Sequence, residues 1–156
     1  YILYQLGKSA YMAQDYEKAC DYFARGLSFD LNPRLEYVID MVETYGYALL
    51  NSNRAEEALF FEGIRDEFGD SADFQFLMGL IYMNNGRFEE AVAQFEKATE
   101  QKDCKMTGVN SYMAYYNIGV IYECLGQKDK ALAYYGKCPE YGPAKKRMQE
   151  MDDSDS

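Results

Sequence analysis

The chain contains no histidine. Serine–histidine–aspartate and cysteine–histidine nucleophiles, and metal sites built on imidazole, are therefore closed to it. Carboxylates, thiols, amines and phenols remain. The carboxylate pairs Glu56-Glu57 and Glu89-Glu90 each open a predicted helix, where the positive end of the helix dipole accounts for them. Asp153 and Asp155 have the spacing of a metal–nucleotide pair, but a floppy terminal tail cannot hold a metal. The four cysteines, Cys20, Cys104, Cys124 and Cys138, follow no zinc spacing. Three fall in predicted helices and read as buried free thiols acting as small hydrophobes, which favours a reducing compartment. No glycine-rich phosphate loop follows a strand. The expectation is a chain with no catalytic residue, no metal and no cofactor.

If side chains supply no chemistry, the elements that carry them become the subject. Asp73 to Thr99 reads as two helices folded back on each other, about 72–84 and 87–100, broken at Asn85-Gly86. From Gly79, steps of twelve, sixteen and nineteen residues reach Ala91, Phe95 and Ala98. The same steps lead from Gly7 to Ala19, Phe23 and Gly26, and from Gly119 to Ala131, Tyr135 and Cys138. From Gly46 they reach Ala58 and then Glu62 and Arg65, so this copy is degraded. The glycines are 39, 33 and 40 residues apart. A mid-helix glycine costs about 1 kcal/mol against alanine. Four in one register predict a packing need: the backbone of a second helix approaching closely.

These residues resemble the tetratricopeptide repeat, a helix pair of about 34 residues with a small-residue seam. The resemblance covers about nine tenths of the chain. It implies an all-α fold, an α-solenoid of four TPR-like helix hairpins plus a C-terminal capping helix. The expected repeats are 1–32, 34–70, 71–104 and 109–142, in one superhelical domain over 1–151. The cap helix covers 143–151, and 152–156 is a disordered acidic tail. Asn32-Pro33 sets the start of a longer helix, 34–51, partnered by 55–68. The stretch 101–110 reads as a loop, and Ser71 or Asp70 as the N-cap of the third pair.

The family implies a binding role on the face lined by each pair's first helix. Residues one step off the packing stripe should lie there: Tyr4, Lys8 and Tyr11; Glu43, Tyr47 and Asn51; Phe76, Leu80 and Asn84; Tyr116, Asn117 and Glu123. Tyrosine gives contact area with a polar tip, which suits a protein or peptide partner. Family members that grip the carboxylate tail of heat-shock chaperones carry Lys and Asn, then Asn, then Lys and Arg. Here those positions hold Tyr4 and Lys8, Thr44, Asp73 and Leu77, so that partner is disfavoured. The phrases 79–86 and 115–126 also look like the repeat region following a family 2 glycosyltransferase domain in some bacterial proteins. On that alternative the catalytic domain lies upstream of Tyr1 and this region is an accessory one. A self-association module is the third reading.

Composition bounds these expectations. The 156 residues suffice for one domain with a core, and the chain opens inside a predicted helix, as an excised piece of a longer protein would. No stretch approaches the roughly 18 apolar residues of a membrane span. Net charge is −10, with Lys145, Lys146 and Arg147 as the one local basic cluster, which disfavours nucleic acid. A cytoplasmic location is expected.

Overall fold

A computed structural model describes residues 1–155 of the protein. Among these residues the elements are helical throughout, without a strand. They divide into two compact units, residues 1–70 and 71–156.

The first unit begins with α1 (Ile2–Met12) and α2 (Tyr16–Leu27), packed as an antiparallel pair. Asp15 caps α2, its side chain accepting from the Lys18 amide. Next comes α3 (Glu36–Asn51), which starts two residues later than the sequence predicts. Its expected partner over 55–68 is not a regular α-helix. A 3-10 helix spans Glu57–Ile64, and a single turn, α4 (Arg65–Phe68), follows. The reason lies in the degraded stencil. Elsewhere the buried alanine and the buried ring are four residues apart; here the buried pair is Ala58 and Phe61, three apart. A 3-10 helix repeats every three residues, so it aligns both side chains on one face.

The second unit holds α5 (Ala72–Asn84), α6 (Phe88–Thr99), α7 (Tyr112–Cys124), α8 (Lys128–Tyr135) and α9 (Gly142–Asp155). Ser71 caps α5 by accepting from the Phe74 amide at 3.1 Å. The intervening loop is held from below. The buried Asp73 carboxylate accepts from the Lys105 and Met106 amides at 2.8 and 2.9 Å. Tyr134 of α8 donates to Glu96 of α6 at 2.6 Å. The last helix runs past Met151 to Asp155, which corrects the expected disordered tail over 152–155; Ser156 lies outside the described residues. Met151 is buried, and the Ser154 hydroxyl donates to its carbonyl.

All four stencil glycines are buried inside helices. What meets three of them is not backbone, as the spacing suggests, but an aromatic ring. A methyl at Gly79 would sit 2.5 Å from Phe95, and one at Gly119 equally close to Tyr135; Gly7 faces Phe23 in the same way. The ring sixteen residues on fills the space that a side chain would need. A second regularity lies seven residues beyond each glycine. Gln14, Asn53, Gly86 and Gly126 all have left-handed φ, between 62° and 75°. In each turn the next amide donates to the carbonyl five residues before it, as Arg87 does to Tyr82 at 2.9 Å. The degraded copy keeps this turn although it loses its second α-helix.

Candidate functional site

In the first unit α1 and α3 present their expected residues as a connected group. The Tyr4 hydroxyl donates to Asp40 at 2.6 Å, and the Lys8 ammonium pairs with the same carboxylate oxygen at 3.0 Å. Burial and the Asp40 hydrogen bond push the Tyr4 phenol up to about 12. Tyr1, Tyr4 and Tyr37 cluster beside it with ring centroids 5.3 to 6.0 Å apart. Tyr11 packs edge-on against Tyr16. Tyr47 is half-buried and Asn51 exposed, with the Asn51 amide donating to the Tyr47 carbonyl. Glu43 is buried at 8% exposure, so it is not a surface ligand.

In the second unit Leu80 is half-buried and Asn84 exposed. Phe76, 2% exposed, is a core residue packed 5.3 Å from the Phe95 ring. The period of α5 misled here because the helix is buried nearly all round. Glu123 also departs from its expected role. It accepts from Tyr135 at 2.8 Å and is paired with Arg147 of α9, so its task is to hold the last helix against α7. Arg147 holds its carboxyl below the usual range, and in turn burial and the Glu123 bond push the Tyr135 phenol up. Asn84 and Asn117 each donate to the carbonyl four residues back, at 2.7 and 2.8 Å.

Tyr116 is half-buried and belongs to a larger group than the sequence indicated. Its ring lies 5.6 Å from Tyr141, which lies 4.8 Å from Tyr112. Tyr112, Tyr115 and Tyr141 line an open cavity of about 560 Å³ together with Cys138, Pro139 and Lys137. The Lys137 ammonium stands 5.3 Å over Tyr115 and 4.8 Å over Tyr134. Tyr112 and Tyr115 were visible as part of an aromatic run in α7. Lys137 and Tyr141 were not, because only the turn between α8 and α9 brings them there.

The thiols are all unpaired in disulfide terms. Cys20 and Cys138 are buried and their thiols pushed up by that burial, whereas Cys124 is exposed, against expectation. Among the described residues no group of three carboxylates or thiols converges as a metal site would require, and no helix is long and apolar enough to cross a membrane.

Successive helical hairpins with a shared left-handed turn define a helical-repeat protein. The chain belongs to the tetratricopeptide repeat family: models of that repeat match residues 46–105, 76–140 and 1–25. Among solved structures it is similar to YrrB, a TPR protein with an unusual peptide-binding site. The TM-score is 0.77 at 23% identity, over 94% of this chain and 73% of that one. It is also similar to MamA, with TM-score 0.71 at 22% identity, over 94% and 79% of the two chains. No curated protein matches the sequence.

Proposed function

We propose that the chain is a non-catalytic scaffold that captures a peptide or protein segment on tyrosine-lined surfaces. The cavity under Tyr112, Tyr115 and Tyr141 carries the reading. It is mostly apolar, rimmed by hydroxyls, the Lys137 ammonium and the Glu140 carboxylate, and of the size that a few side chains fill. Tyrosine offers large rigid area at low entropy cost, as binding hot spots require. The likeness to a structure described as peptide-binding agrees with it. In the first unit Tyr47, Asn51, Tyr4, Lys8 and Tyr11 are the corresponding contacts. That a catalytic domain precedes this array is a separate reading, tested by the sequence upstream of Tyr1.

The test is selection of displayed peptides on the intact chain, followed by titration of the winners against Tyr115→Ala and Tyr47→Ala with Tyr116→Ala. Loss of about tenfold or more in affinity, with helicity unchanged, is expected. Unchanged affinity in both variants would remove the tyrosine surfaces as the site.

A further inference from the structure

The irregular second hairpin leaves something behind. Between the end of α2 and the 3-10 helix, the first unit contains a cavity of about 390 Å³. Val38 and Val42 of α3, both 2% exposed, line its inner part, and Phe60 and Ile64 a second side. Two aromatic rings at its edge stand in solvent: Phe29 is 63% exposed and Phe60 47%. The three-residue repeat explains Phe60, since turning Phe61 inward leaves its neighbour outside. Phe60 is nonetheless held firmly, 4.5 Å from the Phe61 ring and 5.8 Å from Tyr45. Exposed apolar rings fixed beside a hollow of mixed polar and apolar lining are the mark of an interaction site.

Charge says what kind. Asp30 and Glu67 line the same cavity, and among the described residues none of those lining it is basic. The first 70 residues carry thirteen acidic and six basic side chains, so −7 of the net −10 lies in this unit. An anionic lipid surface and nucleic acid are repelled by such a field. A second copy would bring the same acidic rim against this one.

We propose that this cavity docks a basic amphipathic segment of a partner protein. One large apolar side chain enters between Phe29 and Phe60, and flanking lysines or arginines face Asp30 and Glu67. No tyrosine lines it, so the site stands apart from the tyrosine surfaces and does not depend on them.

The protein lacks tryptophan, so a tryptophan in a probe reports without background. The probe is a short synthetic peptide with one tryptophan and a leucine flanked by lysines, compared with its glutamate twin, titrated against the full chain. The lysine peptide should bind with a blue-shifted emission, and its twin about tenfold weaker or worse. Phe60→Ser and, separately, Phe29→Ser should each weaken it about tenfold. Asp30→Asn with Glu67→Gln should weaken it and flatten its salt dependence. Tyr116→Ala should leave it unchanged. Phe29 is largely exposed and Phe60 about half-exposed, and circular dichroism of both variants should match the parent. Equal binding of the two peptides, or binding indifferent to both serine variants, overturns the proposal. So does loss of binding in Tyr116→Ala alone, which assigns the peptide to the tyrosine surface. A dimer in light scattering that Phe60→Ser dissolves assigns the cavity to a second copy and overturns it too.

Discussion

At Gly79 and Gly63 the same substitution has opposite expected signs, because the two glycines are needed for different reasons. Gly79 abuts the Phe95 ring, itself fully buried and packed on Phe76, so an alanine methyl cannot be accommodated by a small shift. Overpacking of this kind costs about 1–3 kcal/mol, against about 1 kcal/mol gained in helix propensity. Gly79→Ala should therefore be destabilised by up to about 2 kcal/mol in urea unfolding, the difference of the two. A methyl at Gly63 meets nothing within 4 Å. Gly63→Ala should gain about 0.5–1 kcal/mol, through the lower entropy of the unfolded chain. Shifts of the same sign in both would sink the ring-on-glycine account of the seam. The glycines were legible in the sequence as a packing need. The occupant of the gap was not, since spacing registers a short side chain but not what lies across from it.

At the level of elements, the interrupted stencil at Glu62 was readable as a weakness, while the form it takes was not. Conversion to a 3-10 helix follows from one missing residue between Ala58 and Phe61, and only the burial of both makes that decisive. The loop after α6 shows the converse case, an irregular sequence with a fixed structure. Asp73 looked like an ordinary first-turn carboxylate, and its two amide partners lie 32 and 33 residues away. Such distant pairings leave no periodic trace. Asp73→Ala should strip protection from the Lys105 and Met106 amides in hydrogen exchange and cost about 2–3 kcal/mol, as for hydrogen bonds to a charged acceptor. Protection that persists in the variant would dismiss the Asp73 carboxylate as the anchor of the loop.

For the molecule as a whole, the buried and bonded ionisable groups set both ends of its pH range. Tyr4, pushed up to about 12, and Tyr134 and Tyr135, also raised, are phenols whose bonds to Asp40, Glu96 and Glu123 favour the protonated form. Their contribution is complete below the ordinary phenol value of about 10 and fades as pH climbs well above it, through about 12 for Tyr4. Glu123, lowered by Arg147, acts in the other sense: its contribution is present above the usual carboxylate range and fades as pH falls below it. Melting temperature should thus decline at both extremes, with phenolate absorbance following the alkaline limb. Glu123→Gln should flatten the acid limb, and an unchanged limb would dismiss the Arg147 tether as its source. The ring-on-glycine contact and the left-handed turn are private to each hairpin, which would make the hairpins interchangeable cassettes. The Asp73 carboxylate breaks that privacy, because it secures the lead-in of the hairpin after its own. The third and fourth hairpins are therefore one heritable piece: a graft, deletion or duplication of this array should succeed only when it moves the two together.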